Sequence, residues 1–142
     1  MMPQLRTYNV FISHAWHRSA EYYGVGQFLA GALYFRYENL SVPEHDPLLC
    51  SDEALERELR NQMRPADVFL IIAGMYAAHS HWIDFELRFA RRIGRPIIGI
   101  WPRGALNAPL AIRSSAREMV GWTQASLIGA IRRHAIPTGR SW

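Results

Sequence analysis

Three short runs, YNVFIS at 8–13, DVFLII at 67–72 and PIIGIW at 96–101, are apolar at consecutive positions rather than at alternate ones. A strand with one wet face alternates, whereas a strand covered on both faces does not, so runs like these predict a parallel sheet sandwiched between helices. Parallel neighbours cannot be joined by a tight turn; each needs a crossover, usually a helix. The intervening segments supply them. Val25, Phe28, Leu29, Ala32 and Leu33 outline a first helix. Leu55, Leu59 and Met63 outline a second, with Ser51 as its N-cap and Glu53–Arg57 and Glu56–Arg60 as i,i+4 pairs on its wet side. A third covers 82–93. The last, TQASLIGAIRRH at about 123–134, ends in basic residues that suit the negative end of a helix dipole. NLSV at 39–42 and EMVGW at 118–122 read as two weaker strands.

Strand and helix thus alternate five times. The expectation is an α/β protein: a single doubly wound, flavodoxin-like domain with a five-stranded parallel sheet flanked by helices. It spans 1–142, with a core over about 6–134 and a loose tail at 135–142. PRGALNAPLAIRSSA at 102–116 reads as an irregular connection, either a lid or the carrier of a short helix.

Composition narrows the chemistry. A chain of 142 residues, 49% apolar and 20% charged, can bury the core of one globular domain. All 16 basic residues are arginines. Without lysine there is no Walker-type phosphate loop, no Schiff-base chemistry and no response-regulator site. Cys50 is the sole cysteine, so no internal disulfide forms. The net charge of +4 is scattered along the chain, which argues against nucleic acid as a partner. No apolar run approaches a membrane span, and the opening MMPQLRTYN lacks a signal-peptide core, so a cytoplasmic location is expected.

The third helix carries an anomaly. Wound at about 100° per residue, HSHWIDFELRFARRIG gathers Trp82, Ile83, Phe85, Leu87, Phe89, Ala90 and Ile93 on one stripe. Asp84, Arg88, Arg91 and Arg92 fall on the opposite face, and Glu86 falls within the apolar stripe. A carboxylate there is either paired with an arginine inside the fold or held in a cleft facing a ligand, because burying it alone costs several kcal/mol. A carboxylate facing a ligand could stabilise an oxocarbenium-like ribosyl cation as a glycosidic bond breaks.

Ligands of such folds bind outside the carboxyl ends of the strands. Several residues there have two readings. Ser13, with His14 and the nearby backbone N–H groups, can contact ribose or phosphate, with Phe11 or Trp16 forming a wall, or these residues can cap and pack the first strand. Asp46, between two prolines, can hold a ribose hydroxyl or serve a turn. Trp82 can stack on a base or pack in the core. Tyr76 and Ser80 are further rim candidates, and the third helix is expected to start just after them, which would put Glu86 about one and a half turns from the rim. His79-x-His81 lacks a third ligand for a metal. GVGQFL at 24–29 is a chance echo of a dinucleotide motif, with Gly24 and Gly26 serving close packing instead.

YNVFISHAW resembles the first box of TIR-like domains. SHWIDFEL, with Ser80, Trp82, Glu86 and Leu87, resembles their W-x-x-x-E-L segment. NLSVPEHDP is similar to the corresponding strand and loop of the TIR-like subunit of Thoeris anti-phage systems. Pro43-Glu44-His45-Asp46-Pro47 stands where adaptor TIR domains carry an Arg-Asp-x-x-Pro-Gly assembly loop, a departure that points away from adaptor signalling. The resemblance implies that Glu86 is the essential residue for cleaving the nicotinamide–ribose bond of NAD. NAD is then the substrate, and no metal or further cofactor is implied. An ADP-ribose-derived product, often cyclised, would act as a second messenger on a separate effector, under a phage-derived trigger. Oligomeric state stays open, a homo-oligomer included. Two rival readings are a non-catalytic TIR-like interaction module and a hydrolase resembling nucleoside deoxyribosyltransferases.

Overall fold

A computed structural model describes residues 5–13, 19–41, 52–102, 104 and 107–137. The strands are β1 (Thr7–Ile12), β2 (Arg36–Asn39), β3 (Val68–Ile72), β4 (Ile97–Ile100) and β5 (Glu118–Val120). The helices are α1 (Ala20–Gly31), α2 (Asp52–Met63), α3 (Tyr76–Arg92), α4 (Leu110–Ser115) and α5 (Gln124–His134). The strands form one sheet in the order β2-β1-β3-β4-β5, and every pairing is parallel. This is the flavodoxin-like order expected from the runs. Right-handed crossovers then put α1 and α5 on one face and α2, α3 and α4 on the other. The contacts agree, since α1 packs on α5 and α3 packs on α4.

The apolar runs became the inner strands. All five residues of β3 and all four of β4 are buried. Phe11 and Phe69 meet at 5.4 Å between ring centroids across the β1–β3 pairing. Over the sheet lie Val25 and Leu29 of α1, Leu59 and Met63 of α2, Ile83, Leu87 and Ala90 of α3, and Leu127 and Ile131 of α5. No helix among the described residues is long and apolar enough to cross a membrane.

Helix ends follow local chemistry. The Ser19 hydroxyl accepts the Tyr22 N–H at 3.1 Å and caps α1, and Thr123 accepts from the Ser126 N–H at 3.2 Å and caps α5. α3 ends in a Schellman motif: Gly94, at φ +71°, donates to Arg91 O, and Arg95 donates to Ala90 O. The Arg95 guanidinium then clips that end to the α2–β3 loop through Ala66 O and Arg64 O.

Five expectations need correction. The second strand is RYEN, not NLSV. As an edge strand paired only with β1, it alternates exposed and half-buried residues and shows no apolar run. α1 stops at Gly31, so Leu33 is 81% exposed; Tyr34, at φ +54°, turns the chain instead. α3 starts at Tyr76, six residues before the apolar period begins, behind one turn of 3-10 helix at Ala73–Met75. The tail is not loose from 135: Ile136 is buried, its N–H donates to Asp67 O, and its carbonyl accepts from Arg6. Only one of the two glycines serves close packing. A Cβ on Gly24 would lie 2.6 Å from Trp122 Cζ2, while one on Gly26 would meet nothing within 4 Å.

The 102–116 connection carries the short α4. Of the charge pairs expected on α2, Glu56–Arg60 forms at 3.7 Å. Ser51, the expected N-cap, lies outside the described residues.

Candidate active site

The carboxyl end of β1 is tied to β3 by Ser13. Its N–H donates to Leu70 O at 2.9 Å, and its Oγ accepts the Ile72 N–H at 3.1 Å. Ser13 is fully buried, and its hydroxyl holds the two neighbouring strand ends in register. Phe11 is 1% exposed and packs on Phe69, so its ring is core and offers no open wall. His14 and Asp46 lie outside the described residues.

β3 runs directly through its 3-10 turn into α3, which therefore begins above the strand ends and descends along the sheet. Ten residues separate Tyr76 from Glu86, about 15 Å of rise at 1.5 Å per residue. Glu86 thus lies nearly three turns into the helix rather than one and a half turns from the rim. It is 0% exposed, among Ile83, Leu87 and Ala90, which are buried on the same side. Its Oε2 has no hydrogen-bond partner among the described residues, although the residue as a whole is engaged with its surroundings.

The other α3 candidates separate by helical geometry. Trp82 stands one turn before Glu86, about 40° from it around the axis. It is half-buried, edge-on to His81 at 4.9 Å and to Phe85 at 5.8 Å. Ser80 stands about 120° around from Glu86, so the helix does not present the two together. The Tyr76 hydroxyl donates to Asp84, 3.0 Å from Oδ1 and 3.2 Å from Oδ2. That hydrogen bond holds the phenol pKa above its ordinary value, with partial desolvation and the Asp84 charge adding to it. Sequence reasoning missed this pair because the two residues are eight positions apart and Asp84 read as surface.

The description of the matching family is "Thoeris protein ThsB, TIR-like domain", and the match covers residues 11–107, more than half of the chain. The chain belongs to this family. No curated protein gives a match. The matched stretch of this Thoeris TIR-like domain runs from the end of β1 past β4. It contains Ser13, Tyr76, Ser80, Trp82 and Glu86, and with them the whole W-x-x-x-E-L segment at 82–87. Thoeris systems are anti-phage defences, so membership gives the domain a role in that defence.

Proposed function

We propose that this domain is an NAD nucleosidase of the ADP-ribosyl cyclase type, and that Glu86 carries the chemistry. The supporting observation is a carboxylate at the buried face of α3, one turn past Trp82, inside the W-x-x-x-E-L segment of the matched family. NAD lies across the strand ends with its nicotinamide ribose brought to Glu86. The C1′–N bond breaks, its electron pair leaves with neutral nicotinamide, and positive charge develops on the ribose. Glu86 stabilises that charge. At about 4 Å and an effective dielectric of about 20, the attraction is about 4 kcal/mol, on the order of a thousandfold in rate.

The cation is then captured by a nucleophile of the same molecule, giving a cyclic ADP-ribose isomer, or by water, giving the linear product. A water-poor site favours the first. The product acts as a second messenger that activates a separate effector, with a phage-derived signal as the trigger.

Full burial of Glu86 adds a condition. The carboxylate meets substrate only after its cover moves, so basal turnover is low and activation is conditional. A free-running NAD-consuming enzyme would harm its host, which fits the same requirement.

Mass spectrometry of metabolites from expressing cells, with and without phage challenge, tests the proposal. An ADP-ribose-derived species is expected in challenged wild-type cells and is absent with Glu86→Gln. If Glu86→Gln folds and still protects cells with no NAD-derived species in either strain, the domain is an interaction module and Glu86 is structural.

A further inference from the structure

A cavity lies in the groove between α2 and α3. It measures about 360 Å³ and is lined by Glu56, Arg60, Phe85, Arg88, Phe89 and Arg92. That volume is in the range of small-ligand sites. Its floor is apolar: Phe85 and Phe89, one turn apart on α3, stack nearly parallel at 6.5 Å. Its walls are cationic, with three guanidiniums against one carboxylate.

That carboxylate is already engaged, because Glu56 pairs with Arg60 at 3.7 Å while the Arg60 guanidinium also lies over the Phe85 ring. Asp84, the acid one turn before Arg88, is the natural helix partner for it. Its carboxylate instead takes the Tyr76 hydroxyl. Among the described residues no carboxylate pairs with Arg88 or Arg92. Both are exposed, and like charges one turn apart on a helix repel. The fold therefore holds two planar, donor-rich groups one turn apart at a groove whose single lining carboxylate, Glu56, is already paired with Arg60. Guanidinium forks match phosphate oxygens bidentately.

We propose that the α2–α3 groove is a binding site for a soluble oligophosphate, a ligand with two or more linked phosphate groups, held by Arg88 and Arg92 with Arg60 across the groove. The site is separate from Glu86, which does not line it.

Inorganic pyrophosphate is the probe, titrated into the purified full chain by calorimetry. Saturable one-to-one binding is expected, and it weakens at least tenfold in Arg88→Gln/Arg92→Gln. Arg91→Gln/Arg117→Gln removes the same charge from exposed positions outside the groove and is expected to change the dissociation constant less than twofold. Glu86→Gln is expected to bind as wild type does, so this test does not depend on the NAD reading. Each variant is first checked for an unchanged melting temperature; if the double variant does not fold, Arg92→Gln alone is used, with a severalfold weakening expected. Three results would overturn the proposal: no saturable binding, equal weakening by the two double variants, or binding only to phosphatidylglycerol-containing vesicles.

Discussion

Asp67 and Glu86 are both carboxylates taken out of water, but the fold builds around them in different ways. Asp67 stands just before β3, at the amino end of the sheet, and bonds that strand to two neighbouring segments. Its Oδ2 accepts the Asn9 N–H at 2.9 Å and lies 3.5 Å from the Arg6 guanidinium. Its N–H donates to Asn9 O, and its carbonyl accepts the Ile136 N–H. One acid thus joins β1, β3 and the segment after α5, at the end of an α/β sheet where ligands do not bind. Glu86 projects from the middle of α3 among aliphatic side chains, at the E position of the W-x-x-x-E-L segment at 82–87. An acid whose bonds close the frame reads as structural; an acid set in an apolar helix face, inside a family motif, reads as chemistry.

The largest expected effect tests the second half of that contrast. Glu86→Gln, which preserves shape, should lower NAD turnover at least about a thousandfold, with the cooperative melting transition retained. Asp67→Asn should do the reverse. Losing a buried, charge-assisted hydrogen bond costs about 2 kcal/mol, seen as a lower melting temperature, while turnover at a permissive temperature stays within a few-fold of wild type. Chemical denaturation and product analysis on the same preparations check both.

Gly24→Ala asks whether frame damage of another origin behaves like Asp67→Asn. The new methyl would strike Trp122, at a cost of about 1–3 kcal/mol for overpacking. Gly26→Ala on the same helix is the control, since its methyl enters open space and should be neutral or stabilise by up to about 1 kcal/mol. Both should keep turnover at a permissive temperature.

The smallest effect concerns a third kind of acid. Glu118 on β5 accepts from Arg133 at 2.7 Å and contacts His134 at 2.9 Å. The Arg133 hydrogen bond first, then the His134 one, holds its carboxyl below the usual range. A pKa depressed by folding contributes stability above the unfolded value of about 4.3, and that stability is lost as pH falls through the folded value. Glu118→Gln should flatten the acid limb of the stability–pH curve by slightly lowering stability at neutral pH, with stability at the acid end as in wild type. Melting temperatures at a series of pH values measure it.

Much of the frame was legible because burial on both faces leaves a direct trace. β1, β3 and β4 are continuous apolar runs, and strand order follows from their alternation with helices. β2 left no such trace, since RYEN sits at an edge and one side of it meets solvent. The first turns of α3 were hidden for a related reason: YAAHSH carries no apolar stripe, and Tyr76 there packs on the core and bonds Asp84 two turns on. Glu86 was legible as a charge out of place in a periodic pattern. Its depth was not, because depth depends on where the helix begins. The arginine groove required knowing that α2 lies against α3, which no local pattern encodes. Gly24 and Gly26 looked equivalent in sequence, and only the position of Trp122 separates them.

The most direct test is to assay wild type, Asp67→Asn and Glu86→Gln side by side in phage-challenged cells, following released nicotinamide and ADP-ribose-derived products. Product is expected from wild type and from Asp67→Asn, and none from a folded Glu86→Gln. Equal product from all three would contradict this expectation and make Glu86 a second frame acid.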